Sequence, residues 1–135
     1  WPIENFISVA KYFKKKSFNL VFFLGPQEKM IKEKLNNIFP EALMPEEYIH
    51  DFSGPEIVMA STKFLSCALA NDSGVSHMLS TNFCPLIKLF GPKSSEKFTP
   101  IRDQIYTISA QEFGSNRIDK VKLETVINKI ESIVN

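Results

Sequence analysis

Apolar residues at Ile3, Phe6, Ile7, Val9, Ala10 and Phe13 recur at three- and four-residue spacing between Pro2 and Lys16. This predicts an amphipathic helix, with Pro2 near its start, where a missing N–H costs nothing. The continuous apolar run Leu20 to Leu24, closed by Gly25 and Pro26, reads as a strand buried on both faces. From Gln27 to Phe39 the helical pattern returns, with Met30, Ile31, Leu35 and Ile38 inward and Glu28, Lys29, Lys32, Glu33 and Lys34 outward. Pro40 to Pro45 is a connection, and Tyr48 to Phe52 reads as a short strand before the turn Ser53, Gly54, Pro55. A helix from Glu56 to Phe64 and a strand from Leu65 to Ala70 follow. After the polar turn Asn71 to Gly74, the pattern predicts a short helix to about Asn82 and a buried strand Leu86 to Phe90. A polar loop, Lys93 to Arg102, leads to a strand at Gln104 to Ile108. The terminal helix, Asp119 to Val134, carries an apolar stripe of Val121, Leu123, Val126, Ile127, Ile130 and Ile133.

Strands and helices thus alternate, which implies an α/β fold: a Rossmann-like parallel sheet with helices on both faces. Such open sheets bind ligands outside the carboxyl ends of their strands. Three small-residue turns fall at such ends: Gly25, Asn71 to Gly74, and Gly91.

The chain has 135 residues, 44% of them hydrophobic, enough for a single core and too few for a second full domain. One domain over residues 1–135 is expected. Sixteen basic against fifteen acidic residues give a net charge of +1, so the long-range field that draws proteins to nucleic acid is missing and no nucleic-acid partner is expected. The one basic cluster, Lys14, Lys15, Lys16, suits a helical C-terminus; a contact with an acidic lipid surface is the other reading. Cys67 and Cys84 stand in apolar surroundings without CxxC spacing and read as reduced core thiols of a cytoplasmic protein. No apolar run is long enough to span a membrane, and no signal-peptide pattern opens the chain. The start at Trp1, without an initiator Met, suggests a segment of a longer polypeptide.

The turn Asn71, Asp72, Ser73, Gly74, Val75, Ser76, His77 carries the chemistry. Where a strand gives way to a helix, the first backbone N–H groups have no intrahelical acceptor and the dipole adds positive potential, which suits a phosphate or diphosphate. A plain N-cap without ligand is the alternative. Glu28 by itself reads as a first-turn acid favoured by the dipole; His77 is either a ligand contact or a packed helix residue. A serine hydrolase is disfavoured because the GxSxG elbow is absent. His50, Asp51 and His77 fall on different elements, so no metal and no cofactor are expected.

Several motifs occur in order: Trp1-Pro2 ahead of a helix, LGPQE at Leu24 to Glu28, FSG at Phe52 to Gly54, NDSGVSH at Asn71 to His77, CPLIKLFGP at Cys84 to Pro92 and KFTP at Lys97 to Pro100. Together they resemble the C-terminal half of the bacterial lipopolysaccharide heptosyltransferases, glycosyltransferase family 9. The resemblance implies half of a two-domain glycosyltransferase B architecture. An N-terminal domain would hold a glycolipid or polysaccharide acceptor, and the C-terminal domain an ADP-linked, heptose-like sugar. By the same resemblance Asp72, Ser73 and Gly74 meet the diphosphate and sugar, and His77 faces the same cleft. Glu28 takes the ribose hydroxyls, and Ser53 and Gly54 border the adenine. A carboxylate suits a ribose diol because it accepts two hydrogen bonds. Asp72 would repel a diphosphate it faced, so it is expected to cap the helix or to accept from sugar hydroxyls, leaving the Ser73 and Gly74 amides and a protonated His77 to meet the charge.

The implied activity is an inverting, metal-independent transfer of sugar, in the cytoplasm or at the periphery of the inner membrane. The basic residue that usually precedes the Trp-Pro pair and the catalytic carboxylate of the N-terminal domain both lie outside this sequence, so no catalytic residue is assigned and the chain alone is expected to be inactive. Lys93 and Arg102 either reach the diphosphate or are solvated. Two rival readings are a non-catalytic nucleotide- or phosphate-binding or interaction domain of the same fold, and a flavodoxin-like phosphate binder unrelated to sugars.

Overall fold

In a computed structural model of the chain, residues 1–92 and 104–135 are described. Three parallel strands, β1 (Ala68–Asn71), β2 (Leu86–Phe90) and β3 (Ile105–Ser109), form a sheet in the order β1-β2-β3. The register pairs Ala70 with Lys88 and Asn71 with Leu89 on one side of β2, and Leu89 with Ile108 on the other. Helices α1 (Ile3–Lys15), α2 (Lys29–Ile38), α3 (Gly54–Ser61), α4 (Gly74–Leu79) and α5 (Leu123–Val134) accompany them.

Side chains alternate across the strands, and each face of the sheet meets its own helices. Ile87, Leu89 and Ile108 pack with Val9 and Phe13 of α1 and Val126 and Ile130 of α5. Ala68, Ala70 and Leu86 face the other way, against Val58 of α3 and Leu79 of α4. A third cluster joins the opposite side of α1, through Ile7 and Ala10, to Leu35 of α2, Phe39 and Met44. The long apolar stripe of α1 therefore serves two cores.

α1 ends in a Schellman motif. Phe18 N donates to the Phe13 carbonyl and Ser17 N to that of Lys14, with Ser17 at a positive φ of 67° and the Phe18 ring edge-on to Phe13. Two of the three lysines at this end are held within the chain, Lys14 by Glu41 at 2.8 Å and Lys16 by Glu131.

Two expected strands differ. Leu20 to Leu24 is extended and packed, but its sheet bonding is one isolated parallel bridge, Val21 to Leu43, with Phe22 N donating to Leu43 O and Leu43 N to Leu20 O. The bridge cannot lengthen into a ladder because Pro45, two residues on, has no N–H and begins a 3-10 turn. Tyr48 to Phe52 is not a strand: the Tyr48 and Ile49 amides turn back to the Pro45 carbonyl, and both Tyr48 and Phe52 are exposed. β1 also starts three residues later than expected, because a 3-10 turn over Thr62–Phe64 carries the helix of α3 onward to Leu65. The loop read as Lys93 to Arg102 lies outside the described residues, and with it Lys93, Arg102 and the Lys97 to Pro100 motif.

No described helix is long and apolar enough to cross a membrane.

Candidate functional site

The Asn71 to His77 turn sits where β1 ends and α4 begins. Asn71 is held from outside the turn, its Oδ1 accepting from the Trp1 nitrogen at 3.1 Å. The Asp72 amide still belongs to the sheet, donating to the Leu89 carbonyl at 3.0 Å. Ser73, in an extended conformation, is the N-cap of α4. Its N–H donates to Ser76 Oγ at 3.1 Å, and that hydroxyl, wholly buried, donates back to the Ser73 carbonyl at 2.8 Å. The Ser73 amide expected to face a ligand is thus engaged internally, and the first-turn amides of Gly74 and Val75 are the ones that helix geometry leaves without an intrahelical acceptor. Ser73, Gly74 and His77 are exposed. A Cβ placed on Gly74 would meet no atom of the described residues within 4 Å, so none of them requires glycine there.

Asp72 does not cap the helix. Its carboxylate turns inward, Oδ1 lying 3.3 Å from Lys88 Nζ and 4.0 Å from His77 Nε2. Lys88, in the middle of β2, is fully buried, and its ammonium also lies 5.3 Å from the Phe90 ring centre. A buried lysine needs an opposite charge, and Asp72 supplies one. Lys88 is the residue that sequence reasoning passed over. Its signal was present: a single cation inside Leu86 to Phe90, a run otherwise apolar enough to be buried on both faces.

The other expected site residues gather around a second feature, an open cleft of about 630 Å³. Its apolar wall is Phe22, Leu24 and Ile57, its polar rim includes Lys29, Lys32 and Glu46, and Gly25 and Gly54 border it. Glu28 closes the loop beside it. Its N–H donates to the Gly25 carbonyl, and its Oε2 accepts from Gly25 N at 2.6 Å. Glu28 is exposed and stands at the N-cap position of α2. Ser53 caps α3, its Oγ accepting from Glu56 N at 3.4 Å. A Cβ on Gly54, like one on Gly74, would meet no atom of the described residues within 4 Å. Burial, with the nearby charge of Glu28 adding to it, pushes the Glu46 carboxyl above its ordinary range. Lys32 is ion-paired with Glu47 at 2.6 Å.

The structure therefore brings the expected residues together in two groups. Glu28, Ser53 and Gly54 lie about the cleft; Asp72, Ser73, Gly74 and His77 lie at the end of β1. α3, which contributes Gly54 to the cleft, packs on α4. Among the described residues no three metal-ligating side chains converge. Burial raises the Cys84 thiol to about 11 and is the larger cause raising Cys67 to about 12, so neither is a thiolate at neutral pH.

A family model described as glycosyltransferase family 9 (heptosyltransferase) matches residues 1–127. Among curated proteins, lipooligosaccharide heptosyltransferase 2 of Haemophilus influenzae is 22% identical over 107 residues, which cover 77% of this chain and 30% of that protein. Among solved structures, a family 9 glycosyl transferase from Veillonella parvula is similar with a TM-score of 0.80 and 21% identity, over 99% of this chain and 41% of that one. The likeness to that structure carries the fold. The chain spans well under half the length of either relative.

Proposed function

The chain belongs to glycosyltransferase family 9, and from that membership we propose that residues 1–135 form the donor-binding domain of a heptosyltransferase-like enzyme. The donor is an ADP-linked sugar and the acceptor a lipopolysaccharide or related glycan, held by an N-terminal domain that also supplies the catalytic carboxylate. In the reaction an acceptor oxygen attacks the anomeric carbon, the bond from that carbon to the diphosphate breaks, and ADP leaves with the electron pair. Growing charge on the diphosphate is where fixed N–H donors contribute to rate, about 3 to 4 kcal/mol for one well-placed donor in comparable sites.

In this reading the Gly74 and Val75 amides and the His77 imidazole receive the diphosphate, beside Ser73. Glu28 accepts from the ribose hydroxyls with the oxygen not committed to Gly25, and Ser53 and Gly54 border the adenine at the mouth of the cleft. The observation that carries the proposal is the open space over Gly74, next to an Asp72 turned away from it toward Lys88. A diphosphate can approach that backbone closely without the Asp72 carboxylate facing it.

Calorimetric titration with ADP, an ADP-sugar and flavin mononucleotide tests this. ADP and the ADP-sugar should bind and the flavin should not; absence of binding by any ADP ligand overturns the reading. Heptosyl transfer by the isolated chain is expected to be nil.

A further inference from the structure

We propose that Lys88 is a positioning residue of this donor site: from inside the sheet it holds the Asp72 carboxylate inward and cancels its charge, so that a diphosphate at Gly74 approaches a neutral floor. The inference rests on the donor-site reading above and adds to it a residue that contacts no ligand.

The placement follows from strand geometry. Side chains two apart share a face, so Ala68, Ala70 and, one residue past the strand, Asp72 line the α3–α4 face of β1, as Leu86, Lys88 and Phe90 do on β2. Lys88 is in register with Ala70, whose small side chain leaves room for the lysine stem. From there its ammonium reaches the next residue on that face, Asp72, at 3.3 Å. The carboxylate is fixed from the other end as well, since the Asp72 amide is bonded to Leu89. The Lys88 side chain is 0% exposed and that of Asp72 11%, whereas His77, 4.0 Å beyond, is 56% exposed. From the core to the surface the side chains therefore run Lys88, Asp72, His77. Among the elements packed on α4, α3 carries Glu56, β1 carries no charge, and β2 carries Lys88 alone.

Without Lys88 the Asp72 carboxylate would stand directly before Ser73 without the buried cation that faces it at 3.3 Å. At a separation of about 6 Å and an effective dielectric near 20, two like charges repel strongly enough to lower affinity by about tenfold or more. The effect is confined to ligands that carry phosphate.

The test is titration of the full chain and its variants with ADP, pyrophosphate and adenosine. Lys88→Met, which keeps the stem and removes the charge, should lose affinity for ADP and pyrophosphate by about tenfold or more and keep its affinity for adenosine. Adding Asp72→Asn should return ADP affinity to near the wild-type value, because the repelling anion is then gone too. Three results overturn the inference: ADP affinity unchanged in Lys88→Met, adenosine affinity lost in equal measure, or no recovery in the double variant. If circular dichroism shows Lys88→Met unfolded, the double variant, which removes both charges of the Lys88–Asp72 pair, decides alone: folded and binding pyrophosphate it supports the role, folded and not binding it overturns it. A wild-type chain that takes none of the three ligands, or adenosine alone, overturns the donor-site reading and this inference with it.

Discussion

Trp1 and Val121 are joined by one buried hydrogen bond: the indole Nε1 donates to the Val121 carbonyl at 3.0 Å across 120 positions of sequence. The same tryptophan packs edge-on against Phe6 and lies in the cluster behind β2. Its nitrogen donates to Asn71, so a single residue ties α1, the approach to α5 and the end of β1 together. Trp1→Phe should leave the Val121 carbonyl without its donor and cost about 1 to 3 kcal/mol. Trp1→Ala adds an unfilled cavity and should cost about 3 to 5 kcal/mol. Urea denaturation followed by circular dichroism measures both, with the ordering Ala below Phe as the expected result.

Gly74→Ala separates folding from binding. No atom of the described residues lies within 4 Å of the added Cβ, and alanine in a first helical turn restricts the unfolded chain, so stability should hold or rise by about 0.4 to 1 kcal/mol. The methyl group occupies the space a diphosphate needs. ADP affinity should fall by about tenfold or more, the equivalent of one lost charge-assisted hydrogen bond. Thermal melting and calorimetry on the same preparation check the two halves.

Glu46 gives the cleft a pH signature. Burial and Glu28 hold its carboxyl above the ordinary range, so the unfolded chain ionises first as pH rises. The stability contributed by the neutral form is complete below the unfolded value, about 4.3, and is lost as pH rises through the higher folded one. Glu46→Gln should therefore raise the melting temperature at pH 7 and leave it unchanged at pH 3.5. An equal rise at both values would point to packing instead of charge.

The thiols work in the same direction at the alkaline end. Unfolded cysteines ionise near pH ~8.5, while Cys84 and Cys67 in the fold are held up to about 11 and about 12. Stability should fall as pH rises above about 8.5, because the unfolded state releases protons first. At pH 8 iodoacetamide should label neither thiol in the folded chain and both in denaturant. Mass spectrometry counts the adducts.

How much of this was legible in the sequence depends on whether the cause was local. β2 was readable to the residue, since five buried positions in a row leave no other element. The turn before Gly74 was readable because small polar residues between two apolar runs have few conformations open to them. The fate of Leu20 to Leu24 was not: its apolar run looks like that of β2, and only Pro45 and the partner strand it fails to provide distinguish a single bridge from a ladder. Tyr48 to Phe52 misled for the complementary reason, its aromatic residues being strand formers that here stay in solvent beside the cleft. At the site, the sequence placed Asp72 beside Ser73 and Gly74 but could not show which way its carboxylate turns. That direction is decided by Lys88, sixteen residues later and on another strand, opposite Ala70.

α1 gives Val9 and Phe13 to the sheet and Ile7 and Ala10 to the layer beneath the cleft. It acts as a common beam: whatever loosens one side strips support from the other. The two halves should therefore melt in concert, and amides over the cleft floor should exchange with solvent at the pace of those in the strands.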